Sequence, residues 1–252
     1  MKKVFFTILA FVSINAYAHF QLILPENDTI TNIKEYNLLI KYIFMHPFEQ
    51  NYMNMEKPID AGFFLNGKKY SLLKNLTNYK IENFNAWKTN FRFKRPGDYI
   101  FYVIPKPYFE PAEEKFIQHI TKVTVNAFGL QKGWDKPVGL KAEIVPLTRP
   151  YGLWVGNCFR GVVLKDGKPV PDAEIEVELY NDKGIKAISD PFITQVIKAD
   201  KNGVFTYSFP FAGWWGFSAL LEGDKPIEKD GKKYPVELGA VYWLKVYKAK
   251  SE

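Results

Sequence analysis

Three histidines, at positions 19, 46 and 119, are the chain's whole supply of imidazole in 252 residues. His19 follows Ala16-Tyr17-Ala18, a small-x-small cleavage signal that closes a short hydrophobic leader. Cleavage there makes histidine the first residue of the mature chain. A free α-amino group and an imidazole then sit on one residue and form a chelate for a divalent metal. The amine, with an ordinary pKa of ~7.7–8.0, gives up its proton to a metal near neutral pH. Imidazole suits Zn, Cu, Fe and Ni, whereas carboxylate-rich sites suit Mg, Ca and Mn. With His46 and His119 the set reaches four nitrogens, and tetragonal nitrogen ligation favours Cu(II) or Ni(II). The three positions are far apart in sequence, so only the fold can assemble them.

Each of the other two histidines also has a bland reading. His46 ends an apolar strand and shares its parity with Leu38, Ile40, Tyr42 and Phe44. His119 keeps step with Ile117, Val123 and Val125. Either one alone reads as a satisfied core histidine, and the N-terminal histidine is what tips the set toward metal. Weaker candidates lie close by. Met45, Met53 and Met55 fall near His46 and Glu49. Thioethers are soft ligands that favour Cu(I), and they are also good filler for irregular cores. Glu49 is a direct ligand or an acceptor that orients His46.

Lys2 and Lys3, the apolar run 4–12 and the segment ending at Ala18 have the anatomy of a signal peptide over residues 1–18. The run is shorter than the ~20 residues that a membrane span needs. A periplasmic protein, peripheral to a membrane at most, is expected. The single cysteine, Cys158, excludes an internal disulfide, and its place at the start of a strand reads as a buried, inert thiol. The formal charge of +7 comes from scattered lysines with no basic run, which argues against nucleic acid as a partner. There is no Gly-x-Ser-x-Gly, no phosphate-cradling glycine loop, no His-Glu-x-x-His and no Cys-x-x-Cys, so no enzyme activity is expected.

The elements that must position these residues are strands. Short alternating or apolar segments are broken by Gly, Pro, Asn and Asp throughout. Strands are expected at 36–45, 60–65, 68–72, 87–93, 99–104, 116–128, 161–164, 173–179, 204–209, 213–217 and 238–246. Asn66-Gly67 supplies the positive φ angles of a type I′ hairpin turn. One short helical turn is expected within 107–115. The stretch 146–150 reads as a connector. The fold class is all-β: two Ig-like or Greek-key sandwich domains, 19–148 with the metal residues and 149–252 after it. Trp214 and Trp215 read as core or contact residues, with a ligand-stacking platform as the lesser reading.

Several of these segments together resemble one family. They are His19-Phe20-Gln21, His46-Pro47-Phe48-Glu49, Met53-x-Met55-x-Lys57-Pro58, Phe93-Lys94-Arg95-Pro96-Gly97-Asp98-Tyr99 and Pro107-Tyr108-x-Glu110-Pro111. Lys115-Phe116-Ile117-x-His119, the run 143–150 and the run 212–217 also fit. The chain resembles the periplasmic accessory proteins of nickel and cobalt uptake systems, NikM- or NikK-like. The resemblance implies a binding protein that delivers Ni2+ or Co2+, as the ion or a chelate, to an inner-membrane metal transporter. It suggests His19, His46 and His119 as the positions to carry over. Two other readings stay open: a Cu2+ histidine-brace oxidase acting on polysaccharide, and a metal-free structural or adhesive sandwich module.

Overall fold

The computed structural model describes residues 18–32 and 36–249. The expected leader therefore lies outside the described residues except for Ala18, as does the end of the tail. Almost every described element is a strand, with one 3-10 turn at Asp190–Phe192 among the described residues. No helix among them is long and apolar enough to cross a membrane.

Three of the four sheets among the described residues stack face to face. The first, five-stranded, runs in the order Phe20–Pro25, Asn37–His46, Phe84–Arg92, Thr77–Ile81, with Asn51–Met53 on the end of Asn37–His46. The central sheet is the largest. Its path runs Gln195–Lys198, Glu174–Leu179, Gly213–Glu222, Val236–Tyr247, Lys115–Ala127, Gly97–Ile104, Asp60–Leu65, Lys68–Ser71. The third holds Ala142–Pro146, Cys158–Lys165, Lys168–Pro169 and Val204–Ser208.

The central strands show why the sequence reads as it does. Tyr99, Phe101 and Val103 face one core, shared with the first sheet, while Ile100 and Tyr102 face a second core, shared with the third sheet. A strand buried on both faces needs a continuous apolar run rather than an alternation, and Gly97–Ile104 is such a run. The same division holds along Lys115–Ala127, where Ile117, Val123 and Val125 face the first core and Ile120 the second. Val236–Tyr247 pairs in parallel with Lys115–Ala127, so the central sheet joins strands from both sides of position 148. The Asn66-Gly67 hairpin forms as expected, with φ of 50° and 78° at its two corners.

Two expectations are corrected. The stretch 107–115 is not helical: Tyr108–Glu110 is a short strand paired with Lys115–Ala127, with Tyr108 opposite Ile117. Its aromatic pair suits a pleated edge, and Pro111 cannot continue the ladder. Cys158 is exposed, not buried. In Cys158–Lys165 it is Phe159 and Val163 that turn into the core, which leaves Cys158 on the outer face with its Sγ 3.0 Å from Ser208 Oγ.

Candidate functional site

The pairing of two strands brings the first two histidines together. Phe20–Pro25 runs antiparallel to Asn37–His46 with Phe20 opposite Met45. One step further along the same register, His19 faces His46. Residues opposite one another in an antiparallel pair share a face of the sheet, and the two rings meet with centroids 4.5 Å apart. His46 donates from Nδ1 to the carbonyl oxygen of Ala18 at 3.0 Å. His19 holds Nε2 3.0 Å from Glu110 Oε2, at the end of the edge strand that also sets the Tyr108 ring near it.

His19 is nearly buried, at 8% exposure. Burial lowers its pKa to about 4, helped by the electrostatic influence of the nearby His46 and His119 imidazoles and opposed by Glu110. The ring is therefore neutral at physiological pH. With its one proton given from Nε2 to Glu110, the lone pair rests on Nδ1, the nitrogen nearer the residue's own backbone. That tautomer lets the ring and the backbone nitrogen of one residue address the same ion.

His119 stands in the strand Lys115–Ala127, and its neighbour in the parallel strand is Gly239. A Cβ at Gly239 would fall 2.3 Å from His119 Cδ2, so the imidazole lies where a side chain would otherwise be. His119 Nε2 lies 3.0 Å from Glu237 Oε1, and Lys115 Nζ bonds the other oxygen at 2.5 Å. Burial pushes the Glu237 carboxyl up, but the hydrogen bonds and charges of His119 and Lys115 outweigh it and hold the group at about 2. His119 Nδ1 is buried and has no hydrogen-bond partner.

A family described as "Domain of unknown function (DUF4198)" matches residues 16–223, a span that includes all three histidines and Glu110. The chain belongs to the DUF4198 family. No curated protein matches it. Among solved structures it is similar to the D0-D1 domain of Intimin, at 10% identity over 89% of this chain and 99% of that one, with a TM-score of 0.25. The Yersinia pseudotuberculosis adhesin InvE gives 10% identity, 87% and 58% coverage and a TM-score of 0.24. A putative membrane anchored protein from Corynebacterium diphtheriae gives 11%, 91% and 59%, with a TM-score of 0.23. Likeness at such scores bears on neither function nor strand arrangement.

The weaker candidates in this DUF4198 chain divide. Glu49 has both carboxylate oxygens buried without a hydrogen-bond partner, and burial raises its pKa while His46 lowers it. It lies on the loop after His46, which is pinned to the second half of the chain. There Asn181 donates its backbone N–H to Pro47 O at 3.1 Å and its side-chain amide to Phe48 O at 3.2 Å. Met53 sits opposite Phe44, and Met55 is buried in the first core, where both pack against apolar neighbours as filler. Trp214 and Trp215 are buried, so neither offers an open stacking face.

As placed, no three His, Cys, Asp or Glu side chains among the described residues converge tightly enough to hold one ion. The structure pairs His19 with His46 and sets His119 within electrostatic reach of His19. Sequence reasoning passed over the Ala18 carbonyl, Glu110, Glu237, Gly239 and Gln21. Glu110 was available: Pro107-Tyr108-Phe109-Glu110-Pro111 has the aromatic bulk of a strand, but its acid reads as one of a solvated loop cluster with Glu113 and Glu114.

Proposed function

We propose that this all-β sandwich protein is exported and binds a transition-metal ion between the terminal amine and imidazole of His19 and the imidazole of His46. One observation carries the reading. His46 Nδ1 reaches the carbonyl oxygen of Ala18, and that carbonyl leaves with the leader when the chain is cut before His19. The His19 nitrogen is two bonds from that oxygen. Processing thus removes one partner of His46 and creates a free amine beside it. Glu110 sets the His19 tautomer so that Nδ1 joins the amine in a chelate. The low pKa of His19, about 4, keeps the ring neutral and available to metal well below pH 7.

A nitrogen-rich set of this kind favours Ni(II) and Cu(II) over hard cations. Nickel or cobalt is the cargo we assign, for delivery to an inner-membrane transporter, on the resemblance drawn from the sequence motifs. A metal-free sandwich module is the second reading. Two observations favour it: no three ligating side chains converge as placed, and His19 and His119 each already spend one nitrogen on a carboxylate.

Calorimetric titration of the processed protein with Ni(II), Co(II) and Cu(II) separates the two. The metal reading expects one site per chain and at least tenfold weaker binding in His46→Ala. Equal, weak binding by the processed protein and the variant establishes the metal-free module.

A further inference from the structure

Beside His119 lies a cavity of about 320 Å³, at the lower end of the ~300–1,000 Å³ range of small-molecule sites. Its walls are mainly apolar and aromatic, among them Phe44, Tyr108, Phe109, Phe116 and Ile117. Gln21 and His119 line it as well, and each carries a buried atom with no hydrogen-bond partner: Gln21 Oε1 and His119 Nδ1. The Gln21 atom is an acceptor. The Gln21 amide nitrogen donates to Leu22 O and Ile43 O at 3.0 Å each, which fixes the oxygen as the unused end. His119 Nε2 lies 3.0 Å from Glu237 Oε1, which leaves Nδ1 as the ring atom without a partner.

A buried acceptor left without a donor is costly, and a ligand that brings one removes that cost. Charge does not select the occupant. The two lysines on the cavity wall are already paired, Lys106 with Glu56 at 2.8 Å and Lys229 with Asp230 at 2.7 Å. Aromatic walls favour a flat ring packed face or edge against them. We infer that this cavity binds a neutral, planar N–H heteroaromatic molecule of roughly indole size, its N–H directed to Gln21 Oε1. The inference does not rest on the metal reading, because the proposed ion sits on His19 and His46.

The test uses chelator-treated protein, so that failure of the metal reading cannot affect it. Indole and benzothiophene, which share a shape but differ in the N–H, are the probes in calorimetric titrations. The cavity reading expects indole to bind about tenfold more tightly than benzothiophene, and the Gln21 side-chain amide signals to shift with indole alone. Gln21→Leu should reduce that preference. The comparison of the two probes on the unmodified protein decides the matter even where the variant does not fold. Equal affinities, or no binding by either probe at its solubility limit, would overturn the inference.

Discussion

Two polar clusters sit on opposite faces of the strand Lys115–Ala127, and they are built differently. On the face toward the third sheet, Lys122 is fully buried and donates to Glu143 Oε2 at 2.6 Å. Glu143 also accepts the backbone N–H groups of Val138, Gly139 and Leu140. Each charged group of that pair has hydrogen-bonded partners inside the protein. On the face toward the first sheet, His119 Nδ1 and Gln21 Oε1 are buried with nothing bonded to them, and both oxygens of Glu49, close to His46, are in the same state. Burial alone therefore does not mark function in this fold. A buried charge with its partner is part of the frame, whereas a group of buried polar atoms without partners around one cavity and one histidine pair is a place built for something else.

The largest expected effect tests the frame. Lys122→Met leaves Glu143 buried without its counter-charge, and denaturant titration should show a loss of about 3–5 kcal/mol. Metal and indole affinities of the folded fraction should not change. A change in either would mean that the two faces are not separable.

Gly239→Ala strikes the other face. Its new methyl would meet the His119 ring at 2.3 Å, and pushing that ring aside should cost about 1–3 kcal/mol. Indole binding should weaken with it. Denaturation and calorimetry on the same sample check both parts.

Glu176 extends the comparison to a carboxylate whose surroundings oppose its charge. Burial pushes it up to about 7, and repulsion from Glu237 adds to the effect. The folded state holds this proton more tightly than the unfolded chain does, so its contribution to stability is present at low pH and is lost as pH rises through the interval from 4.5 to about 7. Glu176→Gln should therefore stabilise the protein by about 2 kcal/mol at pH 8, a value discounted for partial exposure, and have little effect at pH 4. Melting curves at the two pH values measure the difference.

Cys158→Ser gives the baseline. The thiol is exposed, and its partner Ser208 can bond a hydroxyl as well. Stability should stay within about 0.5 kcal/mol.

Strand texture was open to reading because each strand records its own environment. Leu38, Ile40 and Tyr42 alternate with the less buried Asn37, Leu39 and Lys41 and mark a strand, and Asn66-Gly67 marks its hairpin. Pairing between distant strands leaves no such local mark. Nothing near His119 announces that its neighbour is Gly239, because the two are joined only by a parallel register. The parity of Cys158 could not be set until Phe159 was known to point inward. The histidines were legible as a set of residue types. That His19 and His46 meet, with the Ala18 carbonyl between them and Glu110 behind, follows from the register that starts with Phe20 opposite Met45.

The central claim is that cutting the chain before His19 creates the metal site. The direct measurement compares two proteins by calorimetric titration with Ni(II) and Cu(II): the chain that begins at His19, and the same chain with one alanine left in front of it. The account predicts at least a tenfold loss of affinity in the extended chain, because its His19 nitrogen is an amide and His46 still faces the Ala18 carbonyl. Indistinguishable affinities for the two chains would contradict it.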